Sequence, residues 1–294
     1  MKNWRVPRQG GKYSDPYPAL ADRVAADVIG HYSTSFTLAT RLLAPDVRRD
    51  IRNLYAVVRI ADEIVDGAAS GAGEDAATVR EILEGYARAV TDSPSTGFHT
   101  DPVLHAFAGT ARRCGLDMDH MHAFFSSMRA DLDPVVHDGG SLAEYIHGSA
   151  EVIGLMCLDI FLTHGATTAD RVWLQDGAVA LGSAFQKINF LRDMGEDTTV
   201  LHRAYLPGSD GSLDDRTKDR LLDDAAAELE AARARIPGLP RGARAGVAAA
   251  TALYGELVDR LRATPATRLT GPDARRVSVP APVKALVTAR AVLR

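Results

Sequence analysis

The chain has 294 residues, 46% of them apolar and 24% charged, with a formal net charge of −4. That is ordinary for a globular chain with a sizeable core, and it lacks the basic bias of a nucleic-acid binder, so an anionic partner has to be held by local charge or by metal. The two cysteines, Cys114 and Cys157, are too few and too far apart for a disulfide framework or a zinc site and read as buried free thiols, as in a reducing cytoplasm.

Met1 to Tyr17 is polar, basic and rich in Pro and Gly, a flexible segment (1–17) without the apolar stretch of a secretory signal. From residue 18 onward, helical periodicity recurs and sustained alternation is absent, which predicts an all-α fold in one domain, 18–294. Helices are expected at 18–30, 32–43, 46–67, 74–92, 101–113, 118–130, 141–164, 168–195, 215–234, 240–263 and 280–292, with Ser141 and Thr168 as N-caps. Breakers fall between them at Gly67 to Gly73, Asp92 to Thr96, Asp133 to Gly140, Leu206 to Gly211 and Ile236 to Pro240. The charged, Ala-rich run Asp223 to Arg235 reads as a solvated helix face. Nowhere do about 18 consecutive apolar residues occur, so no membrane-spanning helix is expected. The expected location is the cytoplasm, with membrane association for a lipophilic substrate or product.

Two of these helices share an oddity. In Ile51 to Gly67, Tyr55, Arg59, Asp62 and Asp66 are spaced 4, 3 and 4 apart and fall on one line of an otherwise apolar helix. In Leu181 to Asp197, Gln186, Asn189, Asp193 and Asp197 are spaced 3, 4 and 4, with Arg192 beside them. Carboxylates one turn apart repel, and burying them without a partner is costly. A divalent ion removes both problems: Mg²⁺ takes hard oxygen ligands, usually one or two protein carboxylates, and completes its shell with water and substrate phosphate. Two such stripes would hold Mg²⁺ ions that grip a diphosphate, with Arg59 and Arg192 as cationic contacts. The bland account is a pair of salt-bridged surface stripes. A di-iron bundle would need Glu-x-x-His pairs, and neither stripe contains histidine.

These residues resemble the squalene/phytoene synthase family. His31 to Phe36 is similar to its Ser-x-Ser-Phe element, Tyr55 to Asp66 to its first Asp-rich motif, and Tyr145 to Gly154 to the segment lining its acceptor pocket. Leu181 to Asp197, followed by Arg203 and Tyr205 to Pro207, is similar to its second Asp-rich signature. The resemblance implies a single-domain helical bundle of the isoprenoid synthase type with a central cavity. It implies Mg²⁺ (or Mn²⁺) held by Asp62, Asp66, Asn189, Asp193 and Asp197. Ser33, Ser35, Tyr55, Arg59, Arg192, Tyr254, Arg276 and Lys284 would contact diphosphate. Tyr55, Arg59, Tyr145, Glu151 and Gln186 would serve catalysis. Typical members join two allylic prenyl diphosphates head to head through a cyclopropylcarbinyl diphosphate, then ionise and rearrange it. Squalene formation further requires NADPH, which is not expected here.

Three positions depart from the family pattern. Thr34 stands where many members carry a cation, Glu63 replaces an Asp and points about 100° off the stripe, and Glu151 replaces a Gly. Head-to-head condensation is the leading expectation. The alternative is an enzyme of secondary metabolism that transfers a prenyl group to an aromatic acceptor, with Glu151 or His147 taking the proton; a non-catalytic binding protein is the second. His31, His122, His137 and His202 read as surface or packing histidines, Met118, Met121 and Met128 as core, Trp173 as packing, and Asp131 and Asp133 first as turn residues and second as acids reaching the cavity.

Overall fold

The computed structural model describes residues 16–133, 139–199, 205, 213–270 and 274–292, the side chains of 139 and 196–199 excepted. Thirteen α-helices occur among the described residues, and no strand. They are α1 (Pro16–Tyr32), α2 (Thr34–Thr40), α3 (Pro45–Val65), α4 (Ala68–Gly71), α5 (Ala76–Asp92), α6 (Pro102–Cys114), α7 (Met118–Ala130), α8 (Gly139–Ile146), α9 (Val152–Thr163), α10 (Arg171–Thr199), α11 (Asp215–Arg233), α12 (Arg241–Ala263) and α13 (Ala281–Val292). Local chemistry explains most of their ends. Asp75, Asp101, Asp117 and Asp214 cap α5, α6, α7 and α11 by accepting the first orphan N–H groups. Gly115, at φ +60°, closes α6 in the left-handed region where a side chain is disfavoured.

Three expectations need correction. The helix expected over 32–43 is short, because Ser33 breaks the chain after α1 and caps α2 through the Phe36 N–H (3.1 Å). Thr168 is not the cap of α10; Asp170 is, accepting from the Trp173 N–H at 2.9 Å. Ser141 lies within the first turn of α8, which begins at Gly139. The helix expected over 141–164 is real, yet it contains a π-helical turn at His147–Glu151. There the Ser127 hydroxyl of α7 donates to the Tyr145 carbonyl (3.1 Å), next to where the regular ladder gives way.

The packing forms two apolar clusters. One gathers α1, α3, α5, α6, α7 and α9 around Phe107, Phe124, Phe125, Met121 and Met156. The other gathers α8, α10, α11 and α12 with Tyr205 and Val279. Full burial of each such side chain contributes about 1.5–3 kcal/mol. The run from α8 to α9 is clamped between them. A Cβ on Gly148 would sit 2.6 Å from the Ala123 carbonyl of α7, and one on Gly182 of α10 would sit 2.6 Å from the Ala150 carbonyl. Backbone meets backbone there, so the π turn and Tyr145 are fixed in place. The 24-residue stretch Gly140–Thr163 is long and apolar enough to cross a membrane by length and composition; here it packs against α7 and α10.

Candidate active site

The first stripe rides on α3, whose opposite face (Leu54, Val57, Ala61, Val65) is buried in the first cluster. That burial turns Tyr55, Arg59 and Asp62 toward the molecule's interior gap, where each remains half-buried. Burial pushes the Asp62 carboxyl well above the usual carboxylate range, with Asp66 and Asp131 adding repulsion and Arg59 offsetting part of it. Burial likewise raises the Tyr55 phenol to about 12. The Arg59 guanidinium lies 4.5 Å from the Tyr32 ring centroid, pairs with Asp62 at 3.8 Å and makes a close contact with Glu63, while its Nε is buried without a partner. Glu63 therefore takes part in the site through Arg59, although its position on the helix pointed away from the acids.

The second stripe rides on α10. The Tyr254 hydroxyl of α12 donates to Asn189 Oδ1 at 3.1 Å. Arg192 pairs with its neighbour Asp193 (Nε to Oδ1, 2.8 Å), and Arg276 reaches the same carboxylate at 2.7 Å. Burial alone would lower the Arg192 pKa; the bonds to Asp193 outweigh it and raise it. Lys284 of α13 donates to the Thr34 hydroxyl at the start of α2, and its pKa is lowered by burial and by nearby Arg192. The cation that Thr34 lacks is thus delivered from α13, 250 positions along the chain. Ser33 spends its oxygen on the α2 cap, and Ser35 and Gln186 are half-buried. The Asp197 side chain lies outside the described residues.

α3 and α10 share no extended packing. Aromatic rings bridge them at one end: Phe36 lies 6.2 Å from Tyr55, 5.9 Å from Phe185 and 5.9 Å from Tyr254, and Phe185 stacks on Tyr254 at 3.7 Å. At the other end a cluster of Asp131 with Tyr145 and Tyr205 closes the gap, and the contact between them was not expected from the sequence. Asp131, the C-cap of α7, accepts from the Tyr145 hydroxyl (2.9 Å) and the Tyr205 hydroxyl (2.6 Å), and Tyr205 stacks on Phe190 of α10 at 4.5 Å. The result is a gap walled by aromatic faces, with Asp62, Asp66 and Arg59 on one side and Asp193 with Arg192 and Arg276 on the other. Aromatic faces are suited to a carbocation, and hard oxygen donors crowded by like charge fit Mg²⁺.

Glu151 pairs with His147 Nδ1 at 2.9 Å, one turn away; the Glu151 side chain is 18% exposed and the His147 side chain 53% exposed, so the pair opens to solvent on the histidine side.

A second acid–thiol–imidazole group, Asp50, Cys114 and His164, lies elsewhere. Asp50 is completely buried and accepts from Arg49, Thr110, Arg113 and His164. Burial and Asp50 push the Cys114 thiol up to about 11. Two guanidinium groups on the carboxylate and a protonated thiol make this a charge hub of the core, a poor place for a metal ion.

Residues 29–282 match the squalene/phytoene synthase family. Among curated relatives, the chain is 30% identical over 297 residues to a 15-cis-phytoene synthase from Synechocystis sp., covering 93% of this chain and 85% of that protein. It is 28% identical over 285 residues to phytoene synthase 3, chloroplastic, from Zea mays, covering 91% of this chain and 64% of the maize protein. Its fold is similar to that of a dehydrosqualene synthase solved with a ligand (TM-score 0.76, 22% identity, 94% and 98% of the two chains). A squalene synthase from Alicyclobacillus acidocaldarius has the same fold (TM-score 0.71, 20% identity, 85% and 95%). The chain belongs to the squalene/phytoene synthase family of prenyltransferases.

Proposed function

We propose that the protein joins two allylic prenyl diphosphates head to head in a Mg²⁺-dependent reaction. The observation that carries this reading is that Phe36 joins the α3 stripe of the crowded, half-buried Asp62, through Tyr55, to the Arg192–Asp193–Arg276 site, through Phe185 and Tyr254. Asp62, Asp66, Asn189 and Asp193 would hold the metal, with Asp197 completing the second motif. Bound Mg²⁺ would neutralise the diphosphate and make it a good leaving group. Arg59, Arg192, Arg276 and Lys284 would orient the phosphates, Ser33 and Ser35 supplying hydroxyl contacts. Tyr55, Phe36, Phe185 and Tyr254 would face the allylic cation and exclude water from it. The relatives, named as phytoene and squalene synthases, favour this reading over the aromatic-acceptor alternative.

The test is incubation with farnesyl and geranylgeranyl diphosphate, following diphosphate release and product mass. A hydrocarbon with twice the carbon count of the donor, formed only with a divalent ion and abolished by a chelator, is the expected result. Release that survives chelation, or a product equal to an aromatic acceptor plus one prenyl unit, would overturn the reading.

A further inference from the structure

Arg48 and Arg52 continue the α3 row toward the start of the helix. Arg48, Arg52, Tyr55, Arg59, Asp62 and Asp66 are spaced 4, 3, 4, 3 and 4 apart, so acids stand at one end of the line and two arginines at the other. Arg41, the C-cap of α2, joins them: Arg48 donates to its carbonyl at 3.3 Å. Their neighbour Arg49 is internally satisfied, pairing with Asp46 at 2.9 Å and with Asp50 at 3.1 Å. Arg41, Arg48 and Arg52 pair with no acid among the described residues, and the Arg52 Nε is buried without a hydrogen-bond partner. Burial, then Arg48 and Arg41, lower the Arg52 pKa, and no carboxylate offsets them.

The fold holds these charges together. The Ala44 N–H donates to the Gly242 carbonyl of α12 at 2.8 Å. A Cβ on Gly242 would sit 2.9 Å from the Ala44 Cβ, and one on Gly246 would sit 3.0 Å from the Ala39 carbonyl. The turn that carries Arg41 is therefore pinned on α12, and its backbone cannot swing away from α3 to relieve the repulsion. Arg48 also lies one turn into α3, where the helix end is already positive. Three crowded cations without an internal counter-charge are completed by an anion from outside. A carboxylate would answer one of the three. A phosphate group carries about two charges near neutral pH and several acceptor oxygens that guanidinium forks can hold.

We propose that Arg41, Arg48 and Arg52 bind the phosphate group of a ligand, at a site separate from the one proposed for the reacting diphosphates. Arg52 lies about 10 Å along the helix axis from Arg59, with Tyr55 between them. Two sources share this chemistry: a free phosphate or diphosphate, and the anionic headgroup of a lipid surface.

The test is phenylglyoxal modification of the full chain, with each modified arginine identified by peptide mass spectrometry. At saturating inorganic diphosphate, modification of Arg48 and Arg52 should fall about tenfold against sodium chloride of equal ionic strength. The second arm compares phosphatidylcholine vesicles with and without phosphatidic acid. Protection by diphosphate assigns the free anion, protection by the acidic vesicles alone assigns the headgroup, and either supports the site. Arg52→Gln should abolish the protection of Arg48, and Arg41→Gln, at an exposed position, serves if Arg52→Gln fails to fold. Protection in neither arm, protection matched by chloride, or protection of Arg48 undiminished in the variants would overturn the proposal.

Discussion

Asp50 and Asp62 lie on one helix, α3, about three turns apart, and both are withdrawn from water. For Asp50, burial alone would raise the carboxyl, but hydrogen bonds from Arg113, Arg49 and His164 outweigh it and hold the group well below the usual range. For Asp62, burial acts with Asp66 and Asp131, and a shared Arg59 answers only part of the charge. The fold satisfies the first acid from within. It leaves the second in deficit, and a site in deficit of positive charge is one that a cation can complete. On the proposed reading, the same residue type on the same helix is structural at one end and functional at the other, and the difference lies in the partners.

The largest effect should come from the acid in deficit. Asp62→Asn and Asp193→Asn should each lower turnover by about 10³-fold or more, a loss typical of removed electrostatic stabilisation of a leaving group. Asp62→Asn should at the same time leave the melting temperature unchanged or raise it, because it relieves repulsion. Turnover and thermal melting of the same preparations check this, and near-native rates in both variants would erase the distinction between the two aspartates.

Asp50→Asn should do the reverse. Removing one side of a buried, multiply paired charge costs roughly 3–5 kcal/mol, which for a chain of this size lowers the melting temperature by about 10 °C. Activity per folded molecule should persist. The pH dependence separates the two acids further. Asp50, with its folded pKa depressed, contributes stability that is present above the ordinary carboxylate pKa of about 3.9 and lost as pH falls. Asp62, with its folded pKa raised, contributes stability at low pH that is lost as pH rises through its folded value. Melting temperature against pH should therefore flatten on the acid side in Asp50→Asn and on the neutral side in Asp62→Asn. Equal profiles in both variants would break the contrast.

Much of this was legible before any coordinates. The helices, their apolar faces and the Tyr55–Arg59–Asp62–Asp66 row follow from periodicity, each member of the row lying about one turn from the next. What stayed hidden depends on distant partners. Asp50 carries no motif of its own; Arg113 and His164, which make it a buried hub, are 63 and 114 residues away. Asp131 read as a turn residue, since its phenol partners come from α8 and from beyond α10. One local signal was available: an acid at a helix C-terminus opposes the dipole and asks for a reason. Thr34 read as a lost cation, and Lys284 restores it by a contact that no motif spacing encodes.

The smallest effect probes how redundantly the Asp50 hub is satisfied. Thr110 donates to Asp50 Oδ1 at 2.9 Å and accepts from Asn53 at 3.1 Å. Arg113 also donates to Thr110 at 3.3 Å, and Thr110→Val keeps the shape and removes all three bonds. Asp50 retains Arg49, Arg113 and His164, and Asn53 retains Asp22 at 2.9 Å. With every charge still paired, the cost should be about 1–2 kcal/mol, the range for one hydrogen bond to a charged group, and turnover should not change. Chemical denaturation with a constant m-value measures it. A loss as large as that of Asp50→Asn would mean that the hub depends on a single hydroxyl, so that Asp50 is as thinly supported as Asp62. A loss near zero would place the weight of the hub on its three cations, and the contrast between the two aspartates would then rest on the charge of their neighbours alone.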